Sequence, residues 1–412
     1  MNLKSFSIIS IIFLGFSANI IGQSTEQASN TLSPRVIVTS TLPAVVESSK
    51  PRSAPTPVVT ARTSEIGKPD LTYHVLSLSQ IKSKIAEAKR EMQSHPTRTS
   101  SVQTENSSGL VQIAYYDWRL RRIDYFVISK DQFLTTDVLV AVTSASGKNV
   151  ISRTIRANGV NTPVTIVDED GQQQLPLLVQ YPVERGGKFI ETAYYMSSHP
   201  GLVTPEVVNA GRLYVHNTIE IARDRLKANG VKIQPEIADA AERLATVEHV
   251  DHFRFRTENP LNIFNDIFTL YALNEGQTYR YSVSSAGAGG MVQMIPSTYS
   301  MIRSRYPSVG LKPDFIEGMR DHINASRAML LYMQMTWDDL IASPVISAAV
   351  QSGIARPEQL MAAGYNSNPA KLSGYLKRGG ENWINLIPRE TKIYLQIYNA
   401  LERTVPAKAR PR

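Results

Sequence analysis

The sequence contains no cysteine in 412 residues. Disulfides, thiol chemistry, Cys-ligated metals and a lipid-modified cysteine behind a leader are all excluded. Beyond the first residues it has no uncharged apolar run long enough to cross a bilayer. Charged residues make up only 19% and aromatics 8%, an ordinary globular composition. No HExxH order accompanies His249-Val250-Asp251-His252, so this pair of histidines is read as structural, and no metal or other cofactor is expected. Ser79-Gln80-Ile81-Lys82 has the S-x-x-K spacing but lacks the partner motifs of penicillin-binding enzymes.

What is present begins with an export pattern. Lys4 precedes an uncharged apolar stretch from Ser5 to Phe16, and Gly22 offers a small residue for cleavage, so 1–22 is read as a signal peptide. The chain is accordingly expected in the periplasm or cell envelope. Residues 23–75, rich in Ser, Thr and Pro, cannot bury enough surface to offset their ordering entropy and read as a tether. The net charge of +8, to which a basic tail at 403–412 contributes, suits an anionic polymer. For an exported chain that points to cell wall rather than nucleic acid.

Periodicity then divides the chain. Within 76–108, Ser77 and Gln80 form a capping box ahead of Leu78, Ile81, Ile85, Ala88 and Met92, a helix that Pro96 ends. Across 109–200, six β-branched and aromatic runs alternate with the turn signals Ala145-Ser146-Gly147, Asn158-Gly159 and Asp170-Gly171. They predict a mostly-β module, a sandwich or a barrel. Thr204 before Pro205 opens a helical connector over 201–252, whose first helix stops at Asn229-Gly230, and helical patterning continues through 253–402. The expected fold class is therefore multidomain α+β, a small mostly-β module followed by an all-helical domain.

Glu275 carries the chemical interest. It follows the apolar run Phe264–Leu273, and a carboxyl that leaves a buried helix at its end meets the partly desolvated setting that general-acid catalysis of glycosidic cleavage needs. Nine residues on comes Ser284, then the small-residue stretch Ser285–Gly290, then Met291-Val292-Gln293-Met294-Ile295-Pro296. Gly287, Gly289 and Gly290 would let a bulky sugar approach the main chain. A phosphate cradle would need a lysine and a strand-to-helix context that this stretch lacks.

The order Glu, Ser at nine, Gly-Ala at twelve, Gln at eighteen and Pro at twenty-one resembles the signature of the soluble lytic transglycosylase family. Three later segments resemble that family in the same order: Asn324–Tyr332, Ala362-Ala363-Gly364-Tyr365-Asn366, and Ile387-Pro388-Arg389-Glu390-Thr391-Lys392-Ile393-Tyr394. The resemblance implies a lysozyme-like catalytic domain over 253–402 that binds peptidoglycan glycan strands. Glu275 would be the sole acid/base, cleaving between N-acetylmuramic acid and N-acetylglucosamine with help from the substrate's own 2-acetamido group, and leaving a 1,6-anhydro product. Ser284, Gln293, Tyr365 and Asn366 would line the glycan groove, and Glu390 would support the site. Gly276 stands where the family has serine, and Ile295 where it has methionine. Two rival readings stay open: a wall-binding or envelope-assembly protein of low activity, and a muramidase-type hydrolase on the same fold. The role of the β module, including a dock for an envelope protein, is not chosen by its residues.

Overall fold

A computed structural model of the chain describes residues 76–95, 109–407 and 409–411. The expected signal peptide and tether lie outside the described residues. The described residues form one compact unit, and no helix among them is long and apolar enough to cross a membrane.

The first helix, α1 (Leu78–Ser94), starts at the expected capping box and buries Ile81, Ile85, Ala88 and Met92. Seven strands follow: β1 (Leu110–Asp117), β2 (Arg122–Ser129), β3 (Leu139–Thr143), β4 (Asn149–Thr154), β5 (Val164–Asp168), β6 (Gln173–Arg185) and β7 (Lys188–Tyr195), with the short helix α2 (Lys130–Phe133) after β2. They form one antiparallel sheet in the order β2-β1-β6-β5-β4-β3, with β7 added to β6. The two ends of this order meet, since Ala145 N, in the β3–β4 turn, donates to Tyr125 O of β2 at 2.8 Å. The sheet is thus curled like half a barrel.

Alternation assigns the two faces. Val111, Ile113 and Tyr115 of β1 point into the curl with Phe126, Phe133, Val150, Ile166 and Val179. Ala114 and Tyr116 point the other way, under α1, together with Leu175 and Leu177 of β6. Being covered on both faces, β6 reads as the near-continuous apolar run Leu175–Val179 rather than as an alternation. The six expected runs correspond to β1–β6. The seventh strand, β7, returns through Gly186-Gly187, both at positive φ.

The remaining helices are α3 (Pro205–Ala228), α4 (Pro235–Val247), α5 (His252–Thr257), α6 (Pro260–Asn274), α7 (Pro296–Arg305), α8 (Phe315–Arg320), α9 (His322–Ile341), α10 (Pro344–Gln351), α11 (Pro357–Asn366), α12 (Leu372–Gly379) and α13 (Arg389–Thr404). Thr204 caps α3, Pro205 opens it, and Asn229 ends it, as the sequence signals require. Of these helices, all but α5 contribute buried residues to one continuous core, which contains Val215, Leu244, Phe264, Leu330 and Tyr398. The axis of this core is α6, with Ile263, Phe264, Ile267, Phe268, Leu270 and Tyr271 all buried.

Sheet and helices are joined directly. Ala272 and Leu273 at the end of α6, and Leu202 and Val207 around the start of α3, share a core with α1 and β6. Asn274 seals the junction: its Oδ1 accepts from Met196 N at 3.0 Å and its Nδ2 donates to Met196 O at 2.8 Å. The α+β architecture expected from the sequence is present, with the sheet fixed against the helices that carry the candidate site. At the other end of the chain, part of the basic tail is anchored. Arg410, 4% exposed, bonds Glu220, Asp239 and Glu242 of α3 and α4.

Candidate functional site

Glu275 does end α6, and its backbone is unusual, with φ 44° and ψ −123°. Of the five non-glycine residues at positive φ among those described, Glu275, Tyr279 and Gln293 fall in the one segment that resembles the transglycosylase signature. Such conformations cost energy and persist where surrounding structure enforces them. The Glu275 side chain is 55% exposed and forms an ion pair with Lys82 of α1, itself 43% exposed. It lines neither of the two cavities described below.

The desolvated carboxyl lies elsewhere, at Glu248. This residue caps the C-terminal end of α4. Burial pushes its carboxyl up to about 8, against a smaller downward pull from the Tyr394 hydroxyl, and the charge of Glu390 adds to the rise. Its place at the negative end of a helix dipole acts in the same direction. Tyr394 Oη donates to Glu248 Oε1 at 2.5 Å. Glu248 lines a cavity of about 390 Å³ with His249, Tyr279, Tyr281, Ser282 and, from the sheet side, Arg156.

The residues around Glu248 hold the small-residue segment in place. His249 Nε2 donates to Met291 O at 2.9 Å, and its ring stacks on Tyr279 with centroids 3.4 Å apart. Burial drives the His249 imidazole down to about 3, so it stays neutral and acts as a fixed donor. Tyr365 Oη donates to the next carbonyl, Val292 O, at 2.6 Å. Two consecutive carbonyls are thus gripped from α11 and from the residue after Glu248. Gln293 turns inward, its Nε2 donating to Gly290 O at 2.9 Å and to Ser282 Oγ at 3.3 Å. Gly290, at φ 68°, is obligatory here, because a Cβ would lie 2.6 Å from Met319 O.

The other sequence candidates divide by role. Asn366 Oδ1 accepts from Thr391 Oγ1 at 2.9 Å, tying the end of α11 to the start of α13. Glu390, in the first turn of α13, is exposed and near enough to Glu248 for its charge to be felt. Burial and the Glu248 charge both raise the Tyr365 phenol, so Tyr365 too belongs to this neighbourhood. Ser284 sits within the loop, where its Oγ accepts from Ala288 N at 3.0 Å. The structure therefore brings Tyr365 and Glu390 near Glu248, holds Asn366 and Gln293 in contacts of their own, and leaves Glu275 off the lining of the Glu248 cavity.

No motif in the sequence marks Glu248, which stands beside the His249-Val250-Asp251-His252 pair. A signal was present: Glu248 follows an amphipathic helix whose Ile237, Ala241, Leu244 and Val247 are buried, as Glu275 follows Phe264–Leu273. Beyond Tyr281 and Ser282, which line both spaces, a second groove of about 690 Å³ runs between the β6–β7 hairpin and α8, past Ile190, Val283, Gly289 and Phe315. An extended ligand lying across Tyr281-Ser282 would reach both spaces.

No protein-family model matches this chain, and neither a curated protein nor a solved structure matches it.

Proposed function

We propose that this protein is an exported lytic transglycosylase acting on peptidoglycan glycan strands, with a lysozyme-like helical domain and Glu248 as its acid and base. The observation that carries the assignment is the partly buried, Tyr394-bonded carboxyl of Glu248, whose desolvation favours the protonated form at neutral pH and which lines a cavity sharing Tyr281 and Ser282 with an open groove. The signature-like segment supports the substrate class, because its Tyr279, Tyr281 and Ser282 line the same cavity as this carboxyl.

In this reading protonated Glu248 donates to the oxygen linking N-acetylmuramic acid to N-acetylglucosamine, and that bond breaks as positive charge develops at the anomeric carbon. The 2-acetamido oxygen of the muramic residue bonds to that carbon. Glu248, now a carboxylate, takes the proton of the C6 hydroxyl, whose oxygen displaces the acetamido group and closes the 1,6-anhydro ring. The enzyme ends the cycle protonated, as it began. One carboxyl suffices, and Tyr394 holds it in position. Glu275 is a second assignment for the acid, resting on the register of the signature-like segment.

Purified sacculi digested with the protein, followed by mass spectrometry of the released muropeptides, test the reading. Anhydro ends support it. Reducing ends would instead mean a muramidase-type hydrolase, and no release a wall-binding or assembly protein.

A further inference from the structure

The cavity that contains Glu248 is closed on one side by the β4–β5 loop of the sheet, which contributes Arg156, Asn158 and Asn161. Arg156 is partly buried, and burial in turn lowers its guanidinium. It nevertheless remains charged at any physiological pH. Among the described residues it makes no hydrogen bond and no ion pair, although carboxylates stand nearby. Those carboxylates are already engaged. Arg254 bonds Glu258 through two donors at 2.8 and 2.7 Å and Asp266 at 2.8 Å, while Asp251 Oδ1 accepts from Arg254 N at 2.8 Å. The five donors of Arg156 are left over, and the like charge of Arg254 works against it.

A sheltered guanidinium without a partner is costly, so Arg156 on this cavity wall calls for an anionic occupant. A guanidinium suits a carboxylate best, because its planar fork meets both oxygens at once.

We propose that this cavity is a carboxylate subsite, in which Arg156 binds a carboxylate of the stem peptide borne by the glycan. The inference rests on the glycan-cleaving reading for the identity of its ligand. It gives the sheet a role in substrate selection, through a loop that reaches into the helical site.

The test is calorimetric binding to the full chain of three soluble ligands: a disaccharide-peptide, the same disaccharide stripped of its peptide, and an uncharged chitotetraose. The parent should bind the peptide-bearing ligand most tightly. Arg156→Gln should weaken that binding tenfold or more and leave chitotetraose unchanged, and Arg156→Lys should recover part of the loss. Thermal midpoints equal to the parent's establish that both variants fold. Equal affinity of parent and Arg156→Gln for the peptide-bearing ligand overturns the proposal, as does an equal loss for all three ligands. If the stripped disaccharide binds best and loses most, the carboxylate is the lactoyl group and the stem-peptide assignment is wrong. Because none of these ligands offers the bond the transglycosylase would cut in a strand, binding is read separately from sacculus digestion. Arg156-dependent binding without digestion would leave the subsite standing and remove the enzyme.

Discussion

Tyr394 Oη lies 2.5 Å from Glu248 Oε1, joining the second turn of α13 to the C-terminal end of α4. The donor lowers the carboxyl while burial raises it, so the two effects oppose each other. Removing the hydroxyl in Tyr394→Phe should raise the carboxyl further, moving the alkaline limb of the activity profile to higher pH. It should also lower kcat by about one to two orders of magnitude through lost positioning. A role in packing alone would lower activity without moving the limb.

The buried carboxyl also has a signature in stability. Its folded value is raised from 4.5 to about 8, so the stability it contributes is complete below pH 4.5 and lost as pH rises through 8. The thermal midpoint of the parent should therefore fall between pH 6 and 9 by more than that of Glu248→Gln. The imidazoles work in the other direction. His199 and His249, depressed by burial to about 4 and about 3, stabilise the fold above pH 6.5, and that contribution is lost as pH falls through those values. Thermal scans of the parent between pH 3 and 9 should show a maximum near neutral to mildly acidic pH.

Much of this fold was legible in the sequence because its signals are local. The Ser77–Gln80 capping box, the Thr204-Pro205 start and the six β-branched runs are each set by neighbours along the chain. What was not legible depends on partners distant in sequence. No local pattern shows that β7 closes on β6. Nor does helix position separate Glu248 from Glu275, since each stands at the C-terminal end of a helix. The difference comes from Tyr394, 146 positions from Glu248, and from α1, which places Lys82 on Glu275. That Tyr365 and Glu390 stand near Glu248 shows only in the packing.

The close approach of α3 to α6 depends on a missing side chain. A Cβ on Gly211 would lie 1.8 Å from Phe268 O. Alanine normally favours a helix by about 1 kcal/mol over glycine. Here Gly211→Ala should instead destabilise the protein by several kcal/mol, because backbone must move. Chemical denaturation measures this directly, and a more stable variant would contradict the packing.

The C-terminal anchor can be removed cleanly. With Arg410→Ala, Glu220, Asp239 and Glu242 lose a common partner in a half-buried site, so the thermal midpoint should drop by several degrees at neutral pH. The drop should shrink at acidic pH, where the three carboxylates are neutral.

By contrast, the pair of Lys82 and Glu275 is exposed on both sides. Exposed ion pairs contribute about 0–1 kcal/mol. Lys82→Ala should leave the thermal midpoint almost unchanged.

The central claim is that the proton comes from Glu248. Release of anhydro-muropeptides from sacculi by Glu248→Gln and Glu275→Gln, each first shown to fold, tests it most directly. Glu248→Gln should lose activity by a thousandfold or more, while Glu275→Gln should stay within tenfold of the parent. The reverse pattern, with Glu248→Gln active and Glu275→Gln dead, would contradict it.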